Sequence, residues 1–307
     1  MNIWLAIANP NAGFRSSGRK WNSIRRALKD NDISIVPIIT TCPNETIART
    51  LEGIKKGFRR IIVIGGDGTL NEVINAIFQS GIDTNDFIVA TIPTGAGNDW
   101  SRMHKIPTNI DKAIKIIKKE KYLAHDVGRI DYRVEGKQES RYYLINVGFG
   151  YDAAVVARIN QRSHNIITGP LNYLLTVFVT LFKYKNHKVK VRFDGGTIYD
   201  MEGVSVNVAI CKYKGAGMLL MPYAIPDDGL FDFTMIRKIG RRKLLYNLNK
   251  IYNGAIVKLP EIFSRQAEKV EIFSDETLVM ETDGETIFGD GPYVTNIHSK
   301  AVKMIVA

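Results

Sequence analysis

The chain has 307 residues, comfortable for two domains, and its 45% hydrophobic content can fill two cores. Its two cysteines, Cys42 and Cys211, lie far apart and outside any motif, which argues against a disulfide framework or a zinc cluster and fits a reducing cytoplasm. The net charge of +11 suits an anionic partner. Nucleic acid would also attract it, but no RNP signature, zinc-finger spacing or helix-turn-helix pattern accompanies the charge, so no nucleic-acid partner is expected.

Residues 3–8 read as a first strand and not a signal peptide, since neither a basic n-region nor a small-residue cleavage site accompanies them. The polar loop Asn9-Pro10-Asn11-Ala12-Gly13 follows. A helix is predicted over 20–29, with Trp21, Ile24 and Leu28 on one face, then a strand over 34–40 and a helix over 45–56. Residues 60–64 are apolar after Arg60, as in a strand covered on both faces. Another such strand is predicted over 87–92, with helices over 70–78 and 110–119. Repeated βα units of this length predict an open, mostly parallel α/β sheet.

The strongest local signal is Gly65-Gly66-Asp67-Gly68-Thr69-Leu70-Asn71-Glu72, between a buried strand and a helix. Glycine permits a tight turn and a close backbone approach. A new helix offers unpaired N–H groups and partial positive charge, which suit a phosphate. The pattern is neither G-x-G-x-x-G nor G-x-x-x-x-G-K-[ST]. A second glycine loop, Pro93-Thr94-Gly95-Ala96-Gly97-Asn98-Asp99-Trp100-Ser101-Arg102, follows the next strand. Loops at the carboxyl ends of such strands are where open α/β sheets bind ligands.

The pattern changes near residues 125–128. Beyond it, short alternating runs over 129–134, 142–147, 188–193, 204–209, 230–236 and 270–273 predict an antiparallel β domain. Helical insertions are predicted over 153–160, 171–184 and 241–252. The apolar run 171–182 is about half of the roughly 20 residues a spanning helix needs; lining for an acyl chain and plain core are both open readings. Basic clusters sit at Arg15/Arg19/Lys20, Arg25/Arg26, Lys55/Lys56/Arg59/Arg60 and Arg237/Lys238/Arg241/Arg242/Lys243. Each such charge near an anionic bilayer contributes about 1 kcal/mol. His104, His125, His164, His187 and His298 lack metal-ligand spacing and read as surface or structural residues.

The glycine loops, together with Asn146-Val147-Gly148-Phe149-Gly150-Tyr151-Asp152, Asp227-Asp228-Gly229-Leu230-Phe231-Asp232 and Asp283-Gly284-Glu285, occur in the order found in the diacylglycerol kinase catalytic family. The chain resembles that family, which includes bacterial soluble diacylglycerol kinases, sphingosine kinases and ceramide kinases, over nearly its whole length. The resemblance implies an α/β nucleotide-binding domain over 1–126, to which a last segment near 295–307 returns, and a β-sandwich lipid-binding domain over 127–294, with ATP in the cleft between them. It implies an ATP-dependent lipid kinase that is cytoplasmic, peripheral to an anionic membrane surface, and acts on a diacylglycerol-like or sphingoid-like lipid. A homodimer is left open.

Carried onto this sequence, the resemblance implies that Asn9, Pro10, Asn11, Ala12, Gly13, Thr40 or Thr41, Gly66, Asp67, Gly68, Thr69, Leu70, Asn71, Glu72, Thr94 and Glu285 line ATP. Asp283 would be the general base, with Asp67 as rival. Asp228, with the main-chain carbonyls of Ile225 and Leu230, resembles a structural Mg²⁺ site, and Asp99, Arg102 and Asp126 an active-site network. Hard oxygen ligands suit Mg²⁺, and a carboxylate beside a lipid hydroxyl can accept its proton. One departure is Phe14 and Arg15, where bacterial members often have Lys directly after the loop's glycine. Rival readings are an NAD kinase-like small-molecule kinase, which shares the Gly-Gly-Asp-Gly loop, and a catalytically silent lipid- or nucleotide-binding regulator.

Overall fold

A computed structural model describes residues 3–9, 17–40, 45–162 and 186–307. Pro10, Asn11, Ala12, Gly13, Arg15, Thr41 and the apolar run 171–182 lie outside the described residues. The chain divides into two compact units, Met1–Val127 with Ser299–Ala307, and Gly128–His298.

The first unit holds β1 (Trp4–Ala8), α1 (Ser17–Asp30), β2 (Ile35–Ile39), α2 (Glu45–Lys55), β3 (Arg60–Gly65), α3 (Asp67–Gln79), β4 (Ile88–Pro93), α4 (Asp99–Met103) and α5 (Ile110–Lys119). The strands pair in parallel in the order β2-β1-β3-β4, and the end of the last strand, Asp290–Ile305, pairs in parallel with β4 through Lys303 and Met304. β1 is buried along its whole length, as its unbroken apolar run requires. Ile24 and Leu28 of α1 and Ile114 and Ile117 of α5 pack in one cluster with Ala6, Ile62 and Ala90. α2 reaches the sheet through Gly53, where a Cβ would lie 2.3 Å from a Leu5 methyl. α5 starts at Asn109, whose side chain accepts a bond from Lys112 N, and ends at Glu120 in the left-handed region.

The second unit takes most of β5 (Tyr122–Val134), then β6 (Lys137–Tyr143), β7 (Asn146–Gly150), α6 (Tyr151–Arg162), β8 (His187–Phe193), β9 (Ile198–Ala209), β10 (Tyr213–Lys214), β11 (Met218–Leu219), β12 (Phe231–Arg237), α7 (Arg241–Tyr246), α8 (Leu248–Tyr252), β13 (Ile262–Ala267), β14 (Lys269–Phe273), β15 (Val279–Thr282), β16 (Glu285–Phe288) and most of β17 (Asp290–Ile305). Pairings among its described strands are antiparallel, β16-β15-β7-β9-β8-β14-β17, with β12 joining β9 to β13 and β6 paired to β5. Val147, Phe149, Val191, Phe193, Val208 and Phe233 belong to one continuous core. This is an α/β unit followed by an antiparallel β unit, as the periodicities predict.

β5 and β9 begin earlier than the sequence reading has them, and three further differences have a local cause. α3 begins at Asp67 and not near residue 70, because Gly66 already serves as its N-cap. The run 142–147 is not one strand: it breaks at Leu144 and Ile145, whose N–H groups turn with that of Asn146 toward a single carboxylate. The helix over 241–252 is two short helices divided at Asn247, whose Nδ2 donates to the Lys243 carbonyl at 2.7 Å.

Candidate active site

Parallel pairing brings the loops of the first unit to one sheet edge. Ala8 is level with Ile39 and Ile64, and Gly65 with Pro93. The ladder runs one step into the loops: Asn9 N donates to Ile64 O, Thr40 N to Ala8 O, and Thr94 N to Gly65 O at 2.8 Å. Asn9, Thr40, Gly66 and Thr94 therefore share the carboxyl edge of the sheet.

Two glycines make that edge tight. A Cβ on Gly95 would lie 2.6 Å from Gly66 Cα, and one on Gly66 3.1 Å from Gly95 Cα. Gly68 differs. It sits in the first turn of α3, and a Cβ there would meet nothing within 4 Å. The N-cap of α3 is Gly66, which has no side chain to bond the first N–H groups. With glycine also at position 68, there is room beside this helix start, as an anion would need.

The Asp67 side chain points at the second loop. Its Oδ2 accepts from Asp99 N at 2.8 Å and its Oδ1 from Trp100 N at 3.2 Å, so it caps α4. Asp67 thus has a structural use, one that sequence reading assigned to chemistry alone. Asn98 precedes α4 in the left-handed region, φ 52°, with its Nδ2 donating to Gly95 O at 2.6 Å. Asp99 is buried, 3.7 Å from the half-exposed Arg102. Asn71 is fully buried and joined to Asn75, while Leu70 is core.

Behind α4, Trp100 Nε1 donates to His125 Nε2 at 3.2 Å. The His125 proton therefore sits on Nδ1, which donates to the Asp126 carbonyl. Burial pushes His125 down to about 4 and His104, beside it, down to about 3. Asp126 Oδ1 accepts from Lys300 N at 2.6 Å, pinning the returning strand at a residue with φ 52°.

In the second unit, Asp283 and Gly284 form the two-residue turn between β15 and β16, with φ of 48° and 91°. Both being positive, this is the hairpin geometry that Asp-Gly favours. The Asp283 carboxylate reaches back to accept three consecutive backbone N–H groups: Leu144 N on Oδ2 at 2.8 Å, and Ile145 N and Asn146 N on Oδ1 at 3.0 Å each. Buried Tyr143 adjoins it; burial first, then the Asp283 charge, pushes the phenol up. Glu285, just past the turn, pairs with Arg141.

The sequence pattern of the diacylglycerol kinase catalytic domain matches residues 3–130, and that of the YegS C-terminal NAD kinase beta sandwich-like domain matches residues 145–306. The chain belongs to the diacylglycerol kinase catalytic-domain family. A chain from Staphylococcus carnosus (strain TM300) named diacylglycerol kinase is 24% identical over 279 residues, 91% of this chain and 87% of that one. A crystal structure of a diacylglycerol kinase from Bacillus anthracis str. Sterne gives a TM-score of 0.73, covering 99% of this chain and 96% of that one; at 23% identity it bears on the fold alone. An NAD kinase from Archaeoglobus fulgidus, solved in complex with ATP, shares the fold more distantly, with a TM-score of 0.50 and 14% identity over 98% of this chain and 93% of that one. The family is one of lipid kinases, and its sandwich is named for NAD kinase.

Within this diacylglycerol kinase-like frame, Asp228 is exposed on the loop before β12, and its Oδ1 accepts from Leu230 N at 3.0 Å. Ile225 is exposed on the same loop. A carboxylate and main-chain carbonyls form a donor set of hard oxygens, chemically suited to Mg²⁺. Asp232, four residues on, is pushed up to about 6, chiefly by burial and further by the Asp228 charge.

Sequence reading missed a buried polar group behind the Asp283 turn. Lys214 Nζ lies 2.5 Å from Glu281 Oε1 and donates to Asn207 Oδ1 at 2.6 Å. Asn146 Nδ2 donates to the same Glu281 oxygen at 2.9 Å. The available signal was a glutamate interrupting the apolar strand 278–282. Among the described residues, no helix is long and apolar enough to cross a membrane.

Proposed function

We propose that this protein is an ATP-dependent lipid kinase that transfers the γ-phosphoryl group to the hydroxyl of a diacylglycerol-like or related lipid. The observation that carries the reading is the glycine-capped start of α3, with open space at Gly68 beside the contact of Gly66 with Gly95. Phosphates approaching there meet N–H donors and the positive end of a helix. We assign the phosphate-binding role to Gly66, Asp67, Gly68, Thr69 and Thr94 with Asn9, the remaining residues of the first loop and Thr41 completing it. Leu70, Asn71 and Glu72 hold α3 in place.

We assign the general base to Asp283. Three N–H donors hold its carboxylate in one orientation, and Asp67, whose oxygens accept two N–H groups at the start of α4, stays the rival. The acceptor hydroxyl gives its proton to Asp283 as its oxygen bonds to the γ-phosphorus. The bond from that phosphorus to the bridging oxygen breaks, ADP leaves with the electron pair, and the proton passes to solvent. Such a step asks mainly for positioning and charge neutralisation. Asp228 with the carbonyls of Ile225 and Leu230 would hold Mg²⁺ and stiffen the second unit, and Mg²⁺ bound with ATP would supply part of that neutralisation. Arg102, Asp99 and Asp126 keep α4 and the returning strand in register with the phosphate edge.

The acceptor class places the enzyme at a bilayer. Tyr246 (88% exposed), just past the Arg237–Lys243 cluster in sequence, and Tyr223 (66%), on the loop before β12, are exposed on the second unit. We propose that this protein docks peripherally on anionic lipid through such groups.

The deciding experiment offers radiolabelled ATP with diacylglycerol, monoacylglycerol, ceramide, sphingosine and phosphatidylglycerol in mixed micelles, and NAD in buffer. Label in a lipid supports the proposal. Label in NAD alone would move the activity to the NAD kinase side of the fold, and no label in any acceptor would favour a silent regulator.

A further inference from the structure

Lys214 and Glu281 are among the most buried charged side chains described, 7% and 2% exposed. A buried lysine is rare unless paired. The fold makes room for this one at a glycine: a Cβ on Gly148 of β7 would lie 2.3 Å from Lys214 Nζ, 2.8 Å from Glu281 Oε1 and 3.0 Å from Asn207 Oδ1. Gly148 does not have a positive φ, so it is there for space. A buried ion pair is weak evidence for stability, because apolar residues of the same volume often do as well. Its connections give it another purpose.

Glu281 faces two ways. Its Oε1 takes Lys214 Nζ and Asn146 Nδ2; its Oε2 accepts Gly284 N at 3.1 Å. Gly284 is the second residue of the turn that carries Asp283. Asn146 is also one of the three N–H donors to Asp283. The pair therefore grips the turn directly through Gly284 and indirectly through Asn146. We propose that Lys214 and Glu281 are positioning residues that fix the Asp283 carboxylate for proton acceptance. This rests on the assignment of Asp283 as base.

The physical reason is the demand of group transfer on distance. A displacement of about 1 Å at a reacting group can cost about 100-fold in rate. Asp283 sits at a positive φ in a turn whose next residue, Gly284, is held by Glu281. Lys214 stands against Glu281 in the interior, where Glu281 accepts from Gly284 and Asn146 at once.

The test compares the wild type with Lys214→Met, the double variant Lys214→Met/Glu281→Gln and Asp283→Asn. For each folded variant, kcat, KM for ATP and for lipid, and amide hydrogen exchange at residues 144–146, 283 and 284 are measured. In Lys214→Met we expect kcat to fall about 10- to 100-fold with both KM values within about twofold, and those five amides to exchange faster while the rest of the β core does not. Unchanged kcat in a folded Lys214→Met, or a loss of stability spread evenly over the core with kcat intact, overturns the proposal. Lys214→Met leaves a buried unpaired charge and can fail to fold. The double variant then decides: a lowered kcat with locally faster exchange supports the proposal, and wild-type values for both overturn it. If Asp283→Asn turns over normally, the base assignment fails, and exchange at residues 144–146 and 284 alone then shows whether the pair holds the turn.

Discussion

Gly66 and Gly95 meet backbone to backbone: a Cβ on Gly95 would stand 2.6 Å from the Cα of Gly66. The two loops at the sheet edge are thus one packed unit, and substituting either glycine forces main chain apart. Gly95→Ala should cost about 1–3 kcal/mol of stability in urea unfolding. Gly68→Ala is the contrast, because open space surrounds it and alanine favours a helix. It should fold with unchanged or slightly raised stability while ATP affinity, measured by calorimetry, falls about tenfold, or about 1.4 kcal/mol. Full ATP affinity in Gly68→Ala would remove this position from the phosphate site.

Asp283→Asn should retain ATP binding and lose about 10²–10⁴-fold in turnover. An amide cannot accept all three N–H donors, so some loss of stability is expected as well. Asp67→Asn should mainly loosen α4, lowering the melting temperature while leaving measurable turnover. The reverse ranking of the two variants in single-turnover assays would make Asp67 the base.

His125 and His104 set an acid limit on stability. Their folded-state values, about 4 and about 3, lie below the unfolded value near 6.5. The folded state therefore favours neutral imidazole, and this contribution is fully present above pH 6.5 and lost as pH falls toward 4 and 3. The fully buried His125 alone contributes on the order of 3 kcal/mol at neutral pH. His125→Gln, which can accept from Trp100 and donate to the Asp126 carbonyl, should flatten the slope of unfolding free energy between pH 6.5 and 4. An unchanged slope would show that other groups govern acid unfolding.

Asp228→Ala should reduce activity without touching the phosphate edge. Added Mg²⁺ should raise the melting temperature of the wild type more than that of the variant. Equal responses would sink the metal assignment.

Vesicle binding should be strong for anionic lipid, weak for neutral lipid, and released by salt, since exposed charges are screened beyond about 8 Å at physiological ionic strength. Lys243 pairs with Glu261 at 2.5 Å, so reversing it would disturb an ion pair as well as the surface. Arg242→Glu with Tyr246→Ser is the cleaner variant. Cosedimentation should drop while turnover of a short-chain, water-soluble substrate stays near normal. Undiminished cosedimentation would send the search to Arg25 and Arg26 or to the cluster at 55–60.

The two-domain character was legible because its signals are local. The apolar run at 61–64 and the one at 88–92, broken only by Thr91, mark covered parallel strands, and glycine at their carboxyl ends marks the loops. What stayed hidden depends on partners distant in the chain. Nothing beside Asp67 announces that it caps a helix at Asp99. Residues 142–147 alternate well enough for a strand, and only the carboxylate of Asp283 explains the break. Nothing in the sequence pairs Lys214 with Glu281 until the sheet brings them together. Asp283 was recognisable as a turn residue and, by resemblance, as a base; that its oxygens also clamp the link between β6 and β7 required coordinates.

The return of β17 to the first unit bears on how the polypeptide is made. β4 has its parallel neighbour on one side only when Lys303 and Met304 arrive, after the whole second unit has been synthesised. Until then a nascent first unit presents a bare, apolar edge strand, a template for joining another chain. Long-range parallel closure is also slow. Ribosome-bound or C-terminally trimmed forms should therefore be the aggregation-prone species, and chaperone demand should end when the last strand docks.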